Sequence, residues 1–116
     1  MMNVDELTQL AIDALEDIKG QNLVTLDVRG QTDIADVMIV ATGQSARQVK
    51  ALAANVTEQA KQADAPPLSV EGEDEGAWVL VDLGDVLVHV MLEEVRDLYD
   101  LESLWSLSPS DSTVSS

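Results

Sequence analysis

Apolar residues recur at helical spacing over residues 4–19, where Leu7, Leu10, Ala11, Ala14, Leu15 and Ile18 share one face. Asn3 followed by Glu6 has capping-box spacing. Asp5 and Glu6 complement the positive end of this helix, Lys19 the negative end, and Gly20 supplies the stop. The period then drops to two. Val24, Leu26 and Val28 alternate with Thr25 and Asp27, which predicts a strand from Leu23 to Val28 with one buried face. Arg29-Gly30-Gln31-Thr32-Asp33 reads as a turn, and the unbroken apolar run Val37 to Ala41 suits a central strand buried on both faces. Ser45 opens a second helix, with Gln48 at capping-box distance and a stripe of Val49, Leu52, Ala53, Val56, Ala60 and Ala63. Arg47, Lys50 and Lys61 lie on that helix away from the stripe. Pro66-Pro67 ends the connection, and Leu68 to Val70 is a short strand.

The richest pattern lies between Gly72 and Met91. Two apolar runs flank Gly84-Asp85, a two-residue hairpin signal. A tight turn there sets Leu83 opposite Val86, Val81 opposite Val88 and Val79 opposite Val90, an aliphatic face that belongs in a core. The other face then pairs Asp82 with Leu87, Leu80 with His89 and Trp78 with Met91. That mixture of large apolar and polar groups is neither a clean core nor a clean solvent face, and it reads as a surface kept for a partner. Glu93 to Trp105 follows as one helix or two short ones, with Val95, Leu98, Leu101, Leu104 and Trp105 apolar. The order α-β-β-α-β-β-β-α predicts an α/β fold on a mixed five-stranded sheet with flanking helices. Residues 1–105 read as one domain. Residues 106–116 form a Ser-rich tail with little to bury, expected to be disordered.

Composition sharpens this picture. A chain of 116 residues buries about 65% of its unfolded surface, enough for one core. With 3% aromatic residues and no Phe, aliphatic side chains and Met must fill that core. There is no cysteine, hence no disulfide framework and no thiolate metal site. No basic N-terminal region precedes an apolar run, and no apolar stretch approaches the roughly 20 residues of a membrane span, so the expected location is cytoplasmic. Twenty-two acids against six bases leave a net charge of −16. Such a surface repels DNA and anionic membranes and attracts a basic partner, many of which in a cell are ribosomal. Because the acids are spread along the whole chain, adaptation to solubility or to a salt-rich cytoplasm explains the excess equally well.

Candidate chemistry is sparse. Val40-Ala41-Thr42-Gly43-Gln44-Ser45 puts Gly-x-Ser between a strand and a helix, an arrangement that can present backbone N–H groups and a hydroxyl to phosphate. Nucleotidyl transfer there would need paired carboxylates on a neighbouring strand to hold metal ions. The nearest, Asp82 and Asp85, flank a turn instead. The plainer reading is that Gly43 makes the turn and Ser45 caps the helix. His89 has no Cys, Ser or second His at a recognisable spacing and reads as a surface or interface residue. Glu71-Gly72-Glu73-Asp74-Glu75-Gly76 lacks the alternating ligands of an EF-hand and reads as a solvated acidic tip or an arm toward a basic partner. No metal or other cofactor is expected. Trp78, beside the acidic loop and across from Met91, fits either an interface anchor or packing under the C-terminal helix.

Several linked stretches resemble the ribosomal silencing factor family, RsfS or Iojap. They are Val40 through Ala53, Val70-Glu71-Gly72, Gly76 through Asp82, Gly84 through Val90, and Tyr99-Asp100-Leu101-Glu102-Ser103-Leu104-Trp105, so that the similarity covers about residues 3–105. The resemblance implies a nucleotidyltransferase-like fold without catalysis. It also implies binding to ribosomal protein L-fourteen on the large subunit, which prevents subunit joining and lowers translation when nutrients are scarce. On this reading Trp78, Leu80, Leu87, His89 and Met91 supply apolar and hydrogen-bonding contact, while Glu71, Asp82 and the acids at 73–75 meet basic residues of the partner. When free, two copies could cover the same face as a homodimer. The alternative is a nucleotide-binding or nucleotidyl-transferring enzyme using Gly43, Ser45 and nearby acids. Two departures stand out. Val37 and Met38 occupy a strand that usually carries an aromatic residue, and Met91 stands where Phe is common. Met fills such space flexibly.

Overall fold

A computed structural model describes residues 2–30 and 35–99. The elements run α1 (Val4–Asp17), β1 (Gln21–Asp27), β2 (Val37–Gly43), α2 (Ala46–Gln62), β3 (Ser69–Glu71), β4 (Trp78–Asp82), β5 (Val86–Leu92) and α3 (Glu93–Tyr99). They build one mixed sheet in the order β1-β2-β5-β4-β3, in which β2 and β5 are parallel and every other pair is antiparallel. The predicted order of elements and the mixed five-stranded sheet are both observed.

Local chemistry explains most boundaries. The Asn3 side chain accepts from the Glu6 N–H at 2.8 Å and Glu6 accepts from the Asn3 N–H at 3.1 Å, closing the capping box on α1. Its far end differs from expectation. Lys19 lies beyond the helix and itself takes the left-handed conformation (φ +62°), while Gly20 donates back to the Leu15 carbonyl at 2.8 Å. Ser45 caps α2 by accepting from the Gln48 N–H. Gln48 does not complete a box to Ser45. Its Oε1 accepts from the Gln44 N–H, and its Nε2 donates to the Ile18 and Lys19 carbonyls, tying the two helices together.

α1 and α2 cover one face of the sheet. Val37, Ile39, Ala41, Val79, Val81, Val86, Val88 and Val90 point to them and meet Leu7, Ala11, Leu15, Leu52 and Val56. Burying each large aliphatic side chain there is worth about 1.5–3 kcal/mol. The central run Val37–Gly43 is buried on both faces, as its unbroken apolar character requires. The hairpin has the predicted register, from Trp78↔Met91 through Asp82↔Leu87, and Leu83 N–H donates to Val86 at 2.9 Å. Gly84 (φ +93°) supplies the backbone that the two-residue turn needs, and its N–H is capped by Asp82 Oδ1 at 2.8 Å.

The alternation along β1 is as expected: Leu26 and Val28 turn together to the sheet face opposite the helices, and a bulge interrupts the register between Gln21 and Val24. One expectation is corrected. Leu98, assigned to the apolar side of the last helix, is 77% exposed. α3 presents Val95 to the sheet instead. Leu101, Leu104, Trp105 and the tail 106–116 lie outside the described residues, as does part of the turn after Arg29.

Candidate partner-binding surface

The sheet face opposite α1 and α2 carries Glu71, Trp78, Leu80, Asp82, Leu87, His89 and Met91, and the predicted acids at 73–75 lie on the adjoining β3–β4 loop. Antiparallel register sets Glu71 beside Leu80 and Leu80 beside His89, and the parallel pairing of β5 with β2 sets His89 beside Val40, so one cross-strand row runs from the β3 edge to the sheet centre. The next row sets Trp78 beside Met91 and Met91 beside Thr42. Trp78 and Val79 face opposite sides, as the hairpin register demands.

The rows form a hollow of about 310 Å³ lined by Glu71, Gly72, Trp78, Leu80 and His89. Gly72 (φ +87°) makes one wall possible. A Cβ there would sit 2.1 Å from the Trp78 carbonyl oxygen, so no other residue lets the loop approach β4 this closely. The Gly76 N–H donates to the Gly72 carbonyl at 3.1 Å, closing the loop into a compact tip on which Glu73, Asp74 and Glu75 are exposed. Acidic side chains thus stand beside an apolar hollow.

His89 is not a surface residue. It is 7% exposed, and its Nδ1 accepts from the Trp78 indole N–H at 2.9 Å, with the ring centroids 5.8 Å apart. Burial lowers its pKa to about 4, so the imidazole is neutral near pH 7 and its own proton resides on Nε2. That Nε2 is buried and makes no hydrogen bond among the described residues.

Exposure divides the predicted contact residues. Glu71 is exposed, and Trp78, Leu80 and Asp82 are half-buried. Leu87, His89 and Met91 are buried: Leu87 and Met91 belong to a second, smaller cluster with Val28 and Ala35 from the β1–β2 connection, against which Val95 of α3 packs, and His89 lies between Leu87 and Met91 on β5 beside Trp78. They support the hollow from beneath instead of lying open on the surface. The sheet pattern assigned them the correct face, but their cover comes from segments remote in sequence. Asp82 is partly engaged at home as the cap of the Gly84 turn.

The Gly-x-Ser segment lies elsewhere, at the ends of the parallel strands β2 and β5. Gly43 is required there by packing, since a Cβ would meet the Val49 side chain at 2.8 Å. Ser45 and Gln48 engage the amides at the start of α2. The adjoining hollow is lined by Glu93, Glu94 and Asp97, three carboxylates that disfavour a phosphate. Among the described residues no group of three or more His, Cys, Asp or Glu could hold a metal ion, and no helix is long and apolar enough to cross a membrane.

Comparison with known proteins places this architecture. A ribosomal silencing factor RsfS from Chromobacterium violaceum is 54% identical over 104 residues, spanning 90% of this chain and 85% of that protein. A crystal structure of a protein from Chromobacterium violaceum superposes with a TM-score of 0.89 at 53% identity, covering 90% of this chain and 88% of that one. More distantly, a mouse protein named mitochondrial assembly of ribosomal large subunit protein 1 is 27% identical over 105 residues, and this chain spans 46% of its length. A family model described as "Ribosomal silencing factor during starvation" matches residues 2–116, and with these similarities the chain belongs to the RsfS family.

Proposed function

We propose that this protein represses translation by binding the large ribosomal subunit through ribosomal protein L-fourteen and obstructing, by its bulk, the surface where the small subunit docks. The observation that carries this reading is the half-buried pair Trp78 and Leu80 set between Glu71 and an acidic tip, on the sheet face that the long helices leave uncovered. Large, partly exposed aromatic residues in a concave setting are the usual anchors of protein interfaces. A net charge of −16 suits a basic ribosomal partner. The family description and the names of the relatives point the same way. The role is mechanical and not catalytic, and it is exercised in the cytoplasm without a cofactor. In the free state a homodimer covers the same half-buried patch. Its apolar area is smaller than the strand pattern suggested, because Leu87 and Met91 are already covered.

Subunit joining in a purified translation system tests this. Trp78→Ala is expected to raise the concentration needed to block joining by about thirtyfold, or roughly 2 kcal/mol. Glu71→Lys should chiefly slow association and change its salt dependence. Wild-type protein that fails to co-sediment with large subunits overturns the ribosomal reading. A folded Trp78→Ala that blocks joining at wild-type concentrations overturns the placement of the surface. Magnesium-dependent transfer of a nucleotide, abolished by Ser45→Ala, would overturn the mechanical reading in favour of an enzyme.

A further inference from the structure

We propose that His89 is a positioning residue for the partner-binding surface: its Nδ1 takes the indole N–H of Trp78, so that the ring is held as one wall of the hollow and meets the partner with carbon surface alone. The inference rests on the proposed role of that surface. Three observations carry it. The hydrogen bond is 2.9 Å and joins side chains on adjacent strands, one half-buried and one 7% exposed. Both rings line the same hollow, together with Glu71, Gly72 and Leu80. His89 lies between Leu87 and Met91 on β5 and pairs across the strands with Val40 and Leu80, all part of or packed against the smaller apolar cluster, where a polar side chain is costly, and a Leu or Met would fill the position without that cost.

The choice of histidine follows from chemistry. At this depth the side chain must be uncharged, must accept a hydrogen bond at its near ring atom and must be flat enough to sit between strands. A neutral imidazole meets all three conditions. A large indole side chain already held in one rotamer loses little further freedom on binding, and a fixed anchor binds more tightly than one that must be ordered. Because the Trp78 N–H is engaged inside the molecule, recognition at the hollow does not draw on that donor. Polar specificity falls instead to Glu71 and the acidic tip, which suit a cationic side chain whose stem lies along Trp78 and Leu80.

Two variants separate this role from simple packing. His89→Leu keeps bulk but removes the acceptor. His89→Asn places an amide oxygen near the position of Nδ1. Both are first shown to be folded by their thermal transitions. The Trp78 indole N–H resonance, assigned by its disappearance in Trp78→Phe, reports the ring directly. In His89→Leu it should move upfield and exchange with solvent about tenfold faster, and large-subunit binding should weaken about tenfold, as expected for one lost hydrogen bond. His89→Asn should restore both to within about threefold of wild type. An unchanged indole signal in His89→Leu overturns the proposal outright. A changed signal with unchanged binding overturns it too, and if Trp78→Ala still loses binding the surface itself stands. Equal losses in the Leu and Asn variants mean that shape and not the acceptor matters, and also overturn it. Should Trp78→Ala bind as wild type, the surface reading fails and His89 has no partner contact to position.

Discussion

On the face of the sheet toward α1 and α2, β4 and β5 contribute Val79, Val81, Val86, Val88 and Val90, none with any exposed surface. On the opposite face the alternate residues of the same two strands are Trp78, Leu80, Asp82, Leu87, His89 and Met91, which range from half-buried to 1% exposed. The first face has one task, to fill the volume under two helices, and five valines do it. The second must pack against a smaller cover and still leave Trp78 and Leu80 within reach of solvent. It does so by mixing the hydrogen-bonded pair of half-buried Trp78 and buried His89 with apolar neighbours. A residue type on a sheet therefore reports what covers it as much as which strand it belongs to.

The most severe way to break the contrast is to cut into the helical face. Leu52→Ala, at a site with no exposed surface, should lower unfolding free energy by about 2–5 kcal/mol in urea titration. Leu80→Ala on the half-buried face should cost about 1 kcal/mol or less and should show itself in large-subunit binding instead. Equal stability losses at the two sites would mean that both faces are cores.

A smaller effect sharpens the comparison through pH. Burial lowers the folded pKa of His89 from 6.5 to about 4, so between those values the unfolded chain binds a proton that the folded chain excludes. The contribution is therefore fully present above about pH 6.5 and is lost as pH falls toward 4. Wild-type protein should lose about 2 kcal/mol more than His89→Asn between about pH 7 and pH 5, measured by parallel urea titrations. The same loss in both proteins would show that His89 is solvated.

The smallest effect lies away from both faces. Ser45→Ala removes the cap on α2 and should cost about 0.5–2 kcal/mol of stability. Large-subunit binding by the folded variant should be unchanged in a co-sedimentation titration, since Ser45 lies at the end of the parallel strands and not in the Trp78 hollow. A clear loss of binding would extend the partner surface to that end of the sheet.

Much of this protein was determined locally. The hairpin was legible because side-chain direction alternates strictly and Gly84-Asp85 admits only a short turn, so the register and both faces followed together. The Asn3 and Ser45 caps were legible because they involve residues three apart. β2 declared itself by its unbroken apolar run. The tertiary structure decided what local pattern cannot encode. Leu87, His89 and Met91 sit on the expected face, yet all three are buried, Leu87 and Met91 in a cluster with Val28, Ala35 and Val95, which come from other parts of the chain. Leu26 and Val28 alternate as expected, and the side of the sheet they took was set by the pairing of β1 with β2. Histidine in a strand is equally compatible with surface and interior. Only the approach of Trp78 to 2.9 Å made it an acceptor in a hollow, and only its burial in the folded chain made the ring neutral with a low pKa. Periodicity fixes the direction of a side chain within its strand, whereas burial is a property of everything that later folds over it.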